Sequence, residues 1–285
     1  MAPRDPRDDE INDKPMPLIE HLLELRRRLL YSLAAFLVAF AVCYYYSKDI
    51  YSFLARPLAE VLMQHGGGER RLIFTALYEA FFTYVKVAVF GAMFLSFPVV
   101  AMQVWLFIAP GLYRREKKAL APFLIATPIL FVIGAALAYY VIFPTAWRFF
   151  LSFESPSGAG GLPIQLEAKV SEYLNLVMKL ILAFGVAFQL PVALTLMAKV
   201  GLVSSRGLAS KRRYAYVIMF VIAAVLTPPD VFTQTMLAVP LIALYEASIF
   251  AARLVEPKPE EGEGGSNSAG GARQADEAAK EETHS

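Results

Sequence analysis

Residues 119–147 read ALAPFLIATPILFVIGAALAYYVIFPTAW, 29 residues between Lys118 and Arg148 without one charged side chain. A helix needs about 20 mainly apolar residues to cross some 30 Å of hydrocarbon at 1.5 Å per residue, so this run is long enough to span a bilayer. It has company. Uncharged runs of 19, 27 and 19 residues lie at 29–47, 87–113 and 180–198. The last apolar block, 214–252, is interrupted by Thr227-Pro228-Pro229-Asp230 and by Glu246. Two prolines and an aspartate cannot sit inside a helix, so the block reads as a tight hairpin whose first arm, 214–227, is only 14 residues long. The chain is 57% hydrophobic and 18% charged, against about 25% charged in soluble domains. An all-α, polytopic membrane protein with six transmembrane helices is expected, with spans at about 29–47, 80–107, 119–143, 174–198, 214–227 and 231–252. The fifth is short.

The placement of charge sets the topology. Of the 27 Lys and Arg residues, 19 precede the first span, lie in the 2/3 and 4/5 connections, or follow the sixth. Six lie on the opposite side, and Lys86 and Lys179 fall near the outer ends of their spans. The positive-inside rule then puts both termini in the cytoplasm. Residues 1–16 are charged and proline-containing, and 254–285 are acidic and rich in Gly, Ser and Ala. Both read as disordered extensions of a membrane domain covering 17–253. Asp5, Asp8, Asp9, Glu10 and Asp13 give the wrong charge for a cleaved secretory leader, so the first span reads as an anchor that stays. Arg26-Arg27-Arg28 is its cytoplasmic basic flank rather than an export signal for this chain. The outer segments 48–78 and 144–172 are long enough to form a cap or a partner surface, the first with short helices around Gly66-Gly67-Gly68, the second with a helix re-entering near Glu167.

Several chemistries are excluded or demoted. No phosphate-binding G-x-x-x-x-G-K-[ST] and no H-E-x-x-H occur, and the three histidines, His21, His65 and His284, are scattered. The single cysteine, Cys43, precludes an intrachain disulfide and reads as a small buried hydrophobe. Glu79, Asp230 and Glu246 read as capping, interfacial or paired groups, with a proton relay as the alternative. No cofactor, metal or nucleic acid is implied, and an enzyme would need a nucleophile, metal or carboxylate pair inside the spans. A solute transporter would need a midplane site at broken helices, for which Gln189 with Pro191 is the only candidate.

Three polar residues stand out. Leu18, Leu22, Leu25 and Leu29 recur at helical spacing with Glu20, His21, Glu24 and Arg28 off that stripe, so an amphipathic turn runs into the first span. Glu24 there, and Glu116 between Arg115 and Lys117, are carboxylates on the cytoplasmic face. One reading is local ion pairing, as of Glu24 with Arg28; the other is a joint grip on a basic peptide, because a guanidinium takes a carboxylate bidentately. Gln189, in the middle of the fourth span, needs a hydrogen-bond partner, and Pro191 frees a carbonyl one turn earlier. It reads as helix-packing glue or as a polar notch facing a cavity.

Four blocks carry a resemblance. Pro17-Leu18-Ile19-Glu20-His21-Leu22-Leu23-Glu24-Leu25-Arg26-Arg27-Arg28-Leu29 is similar to the H-L-x-E-L-R-x-R-L opening of the TatC family, the multi-spanning subunit of the twin-arginine protein translocase. Gln103-Val104-Trp105-Leu106-Phe107-Ile108-Ala109-Pro110-Gly111-Leu112-Tyr113-Arg114-Arg115-Glu116-Lys117 resembles its Q-x-W-x-F-I-x-P-x-L-Y-x-x-E-[KR] loop. Phe184-Gly185-Val186-Ala187-Phe188-Gln189-Leu190-Pro191 and Leu226-Thr227-Pro228-Pro229-Asp230-Val231 follow in order. The resemblance implies a non-enzymatic receptor in the bacterial inner membrane for folded cargo with paired-arginine signal peptides, which Glu24 and Glu116 bind with Arg26, Arg28 and Phe107 nearby. It further implies docking of the single-span subunits TatA and TatB at Gln189, Thr227 and Gln234, homo-oligomers within the receptor complex, and transport driven by the proton-motive force. Pro57, Pro110, Pro228, Pro229 and Asp230 fall at structural motif positions. The family often has Glu where this chain has Gln189, which leaves hydrogen bonding, not charge, at that site.

Overall fold

The computed structural model describes residues 18–64, 72–108, 121–155 and 166–256, and among them the regular structure is helical apart from isolated bridge residues. The helices are α1 (Leu18–Tyr45), α2 (Ser47–Gln64), α3 (Glu79–Ile108), α4 (Ala121–Leu137), α5 (Phe143–Leu151), α6 (Val170–Ala187), α7 (Leu190–Lys199), α8 (Ser205–Ser210), α9 (Arg212–Leu226) and α10 (Val231–Val255). Five stretches are long and apolar enough to cross a membrane: Ile19–Tyr45, Glu79–Phe107, Pro122–Leu151, Val170–Lys199 and Val231–Val255. Helix α9 has 15 residues, about 22 Å, and falls short of a full hydrocarbon core, in keeping with the short fifth span expected.

The amphipathic turn does run into the first span, as expected, in one helix, α1. Several boundaries differ from the sequence reading, each for a local reason. The third span does not stop at residue 143. A π-helical turn, Ala138–Ile142, in which the Phe143 amide donates to the Ala138 carbonyl, absorbs the clash and missing N–H of Pro144, and the helix continues to Leu151. The returning helix starts at Val170 rather than near 167. The fourth span is not one helix but α6 and α7, because Pro191 cannot donate and its ring crowds the carbonyl of Ala187. Before Gly66-Gly67-Gly68, which lie outside the described residues, the 48–78 segment holds the single 18-residue helix α2. Residues 1–17 and 257–285 also lie outside the described part.

Contacts between helices sort their ends onto two sides. On one side Arg28 of α1 meets Gln103 of α3, the Lys199 ammonium lies 5.6 Å from the ring centre of Phe123 in α4, Ser205 bonds Glu256, and Arg212 pairs with Glu246. This termini side holds both ends of the described chain. The distal side holds α2, the start of α3 and the 5/6 hairpin. There, Ile73 and Lys169 form a parallel bridge, and Glu79 at the start of α3 accepts from the amides of Thr75, Ala76 and Ser171 at 2.8, 3.2 and 3.3 Å. Glu79 is therefore a cap that ties together the ends of two connections, as its position suggested. Tyr45, Tyr46, Tyr78, Phe81, Phe82 and Tyr140 are exposed toward this side, as in an interfacial aromatic belt.

The buried core runs through α2, the first half of α3, the π turn, α5, α6 and α10, with Leu54, Leu58, Val87, Phe143, Leu174, Val177, Phe184, Leu237 and Ile249 almost fully enclosed. Pro57 interrupts α2 and leaves the Phe53 carbonyl without a helical donor; the Tyr139 hydroxyl donates to it at 2.7 Å. Tyr173 likewise donates to the Leu54 carbonyl at 2.8 Å. Small residues let α4 and α6 approach. A Cβ on Gly134 would lie 2.6 Å from the Phe184 carbonyl oxygen, and one on Gly185 would lie 2.6 Å from the Phe131 ring. A backbone oxygen cannot move aside as a ring can. Gly134→Ala is therefore expected to lower stability in detergent by about 1–3 kcal/mol, and by more than Gly185→Ala. Thermal unfolding of both variants checks this; equal midpoints to the parent chain for Gly134→Ala would contradict the packing described.

Candidate functional site: a half-dry carboxylate and two membrane polar notches

His21, Glu24 and Arg28 are spaced i, i+3 and i+7 and so lie along one face of α1. That face meets Gln103 and Phe107, one turn apart on α3. Arg28 Nη2 donates to Glu24 Oε1 at 2.9 Å, and Arg28 Nη1 donates to Gln103 Oε1 at 3.2 Å. The His21 and Phe107 rings stack with centroids 4.3 Å apart. The Glu24 and Arg28 side chains keep 19% and 26% of their accessible surface, so the pair is half-dry and its attraction is less screened than at an open surface. Arg28 Nε is buried without a hydrogen-bond partner among the described residues. The guanidinium thus has an unused donor. The local pairing read from the i,i+4 spacing is present, and it is embedded in a contact between helices.

Beside this pair lies a surface depression of about 480 Å³ lined by Glu20, Leu23, Glu24, Arg27, Arg28 and Tyr31. Arg27 lies over the Tyr31 ring, 5.6 Å from its centre, and donates to the Tyr31 hydroxyl at 3.4 Å. Arg26 stands apart. It is exposed, about 200° around the helix from Glu24. Glu116 and Pro110 lie outside the described residues. Among the described residues, no group of three or more His, Cys, Asp or Glu side chains is arranged to hold a metal ion.

Deeper in the membrane, the turn between α6 and α7 brings Gln189 to α4. Gln189 Nε2 donates to the Thr127 carbonyl at 3.1 Å and to the Gly185 carbonyl at 3.4 Å. The acceptors are therefore not the Ala187 carbonyl that Pro191 frees. The Gln189 amide bonds Val186 instead of Gly185, which leaves the Gly185 oxygen open. Gln189 Oε1 is buried and has no partner among the described residues. Thr127 is also the acceptor for Trp105 Nε1 at 3.0 Å, while its own hydroxyl donates to the Phe123 carbonyl at 2.7 Å. One residue of α4 thus joins the helix carrying Gln103 and Phe107 to the amide of Gln189.

The second notch is the hairpin between α9 and α10. Thr227 donates its hydroxyl to the Ala223 carbonyl at 2.9 Å, and Gln234 Nε2 reaches across to the Phe220 carbonyl at 3.2 Å. Asp230 caps α10 by accepting from the Thr233 amide at 2.7 Å and from the Thr233 hydroxyl, so its role is the capping one of the alternatives posed. Its own amide donates to the Pro228 carbonyl at 2.7 Å, which closes the tip around Pro228 and Pro229. Phe232 stacks on Phe149 of α5 at 4.2 Å and fixes the tip to the bundle. At the other end Glu246 accepts from Arg212 Nη2 at 2.7 Å and from the Tyr216 hydroxyl at 2.6 Å, the paired one of the readings open for it.

Sequence reasoning did not single out Gln103 or Thr127, the stacking of His21 on Phe107, or Arg212 and Tyr216 as the partners of Glu246. Gln103 offered one signal, since it stands one helical turn before Phe107 in the same quoted block.

The family described as "Sec-independent protein translocase protein (TatC)" matches residues 20–240. The chain is 51% identical over 251 residues to the Sec-independent protein translocase protein TatC of Magnetococcus marinus, an alignment covering 88% of this chain and 89% of that protein. It is 42% identical over 237 residues to TatC of Escherichia coli K12, covering 83% and 88% of the two chains. A crystal structure of the twin arginine translocase receptor TatC is similar with a TM-score of 0.71 and 37% identity, covering 82% of this chain and 99% of that one.

Proposed function

The chain belongs to the TatC family of Sec-independent protein translocase subunits, and on that premise we propose that it is the signal-reading receptor of a twin-arginine translocase. It sits in the bacterial inner membrane with both termini in the cytoplasm, as the distribution of its basic residues supports. Glu24 and Glu116 bind the paired arginines of the signal peptide, and Phe107 and Arg28 shape the pocket around Glu24. Arg26, exposed on another face of α1, belongs to the basic flank of the same entry region.

The observation that carries this reading is the Arg28 guanidinium shared between Glu24 at 2.9 Å and Gln103 at 3.2 Å. Glu24 is held ready by a guanidinium of the chain itself. An incoming arginine makes the same kind of charge-assisted bond and can take over the carboxylate, while Arg28 keeps the Gln103 amide oxygen and is not stranded in a half-dry site. A lysine in the signal brings a point charge without the planar fork and is a poorer competitor.

TatA and TatB, the single-span partners, dock at Gln189, Thr227 and Gln234. The carbonyl-bound amides of Gln189 and Gln234 hold these side chains in place. Receptor units associate with further copies of themselves, and the proton-motive force drives transport of the folded cargo. The role is recognition and assembly, with no chemical step assigned to the chain.

Crosslinking of a twin-arginine precursor to the assembled receptor is expected to fall strongly in Glu24→Ala and in Glu116→Ala. Undiminished crosslinking in both variants would remove the assigned binding roles. The 15-residue α9 is expected to thin the bilayer locally by hydrophobic mismatch. Inserting four leucines into α9 should slow transport while leaving precursor crosslinking intact, and an unchanged transport rate would rule out the mismatch.

A further inference from the structure

Two cations lie well inside the candidate spans on the distal side. Lys86 is seven residues past the start of α3 and Lys179 nine past the start of α6, about 10 and 14 Å along their helices. Both side chains belong to exposed residues. Lys86 Nζ donates to Asn175 Oδ1 at 3.4 Å, and Asn175 lies one helical turn before Lys179 on α6. Lys179 Nζ donates to the Val225 carbonyl at 2.7 Å, in the last turn of α9. The two ammonium groups therefore flank one turn of α6, beside the distal end of the shortest membrane helix. Among the described residues neither forms an ion pair with a carboxylate. Each ammonium has three donors, and the bonds above use one apiece.

A pair of positive charges at this depth is costly unless an anion accompanies it. The surroundings indicate what kind. Val225 at the end of α9 is level with the Lys179 ammonium, so lipid headgroups covering the hairpin tip descend toward the two lysines. Toward the membrane centre, the surface next to them is apolar and exposed: Val186 on the same face of α6, and Val221 on α9. Cations above and open aliphatic surface below match a charged headgroup joined to acyl chains.

We propose that Lys86 and Lys179, with Asn175, bind the phosphodiester headgroup of an anionic phospholipid in the distal leaflet, with its chains lying along Val186 and Val221. The lipid supplies the counter-charge that no carboxylate among the described residues provides here and fills the step left by the short α9. The site is independent of the signal-binding reading, since it uses none of its residues.

The test uses the full chain reconstituted in nanodiscs of mixed phosphatidylglycerol and phosphatidylcholine, released into mild detergent, with retained lipid identified by native mass spectrometry. The parent chain and the Lys86→Arg/Lys179→Arg double variant are expected to retain phosphatidylglycerol preferentially. In Lys86→Gln/Lys179→Gln the preference should fall severalfold, to the level of phosphatidylcholine. Glycerol phosphate, which carries the anion without chains, is expected not to displace the lipid. Three results overturn the proposal: equal phosphatidylglycerol retention in the Gln variant, displacement by glycerol phosphate, or unchanged lipid retention accompanied by loss of co-purifying TatA or TatB, which would assign the lysines to a protein carboxylate.

Discussion

Hydrocarbon offers no water to a polar group, so each buried donor and acceptor in this bundle must find its partner within the protein or in something bound to it. That requirement explains the side chains that connect the helices. Tyr139 answers the carbonyl that Pro57 leaves open in α2, Thr127 accepts from Trp105, and Gln189 reaches carbonyls of α4 and α6. Arg212 and Tyr216 both donate to Glu246 between α9 and α10. Pro57, which would be disruptive in a soluble helix, is accommodated because the Tyr139 hydroxyl supplies the missing bond.

The same requirement gives the candidate site its character. Glu24 sits where the termini-side ends of α1 and α3 cross, dry enough for its charge to matter and open enough to be reached. Its bond to Arg28 is one that a guanidinium from outside can replace in kind, and Gln103 gives the displaced arginine somewhere to stay. A fully exposed carboxylate would bind an arginine weakly, because water and salt screen such pairs. A fully buried one would not be accessible. The two notches at Gln189 and at the 5/6 hairpin are polar points on otherwise apolar helices, and the hairpin is short enough to end level with Lys179.

Much of the fold was legible because the signal is coarse: a charge-free run of 19 or more residues leaves few alternatives to a membrane helix, and two prolines with an aspartate mark a tip. What escaped was governed by contacts distant in sequence. Pro144 read as the end of a span, yet a π turn carries the helix through it to Leu151. Pro191 fell inside one span expected at 174–198, whereas the helix divides there at Gln189. Glu24 was legible from its motif and from the scarcity of acids at that face. Gln103 was not, since its meaning depends on a crossing of helices 75 residues apart. Gln189 was legible as a polar group in need of a partner, but its acceptors depend on how α6 unwinds and where α4 passes.

In the proposed function Glu24 reads the fork of an arginine and not merely a positive charge. Its most direct test is a thermodynamic cycle: affinities of a signal peptide with paired arginines and of the same peptide with paired lysines, each for the parent chain and for Glu24→Gln in nanodiscs. The lysine peptide is expected to bind the parent chain at least about tenfold more weakly, about 1.4 kcal/mol, and this penalty should largely disappear in Glu24→Gln. An equal penalty in both proteins would place arginine recognition elsewhere and contradict the account.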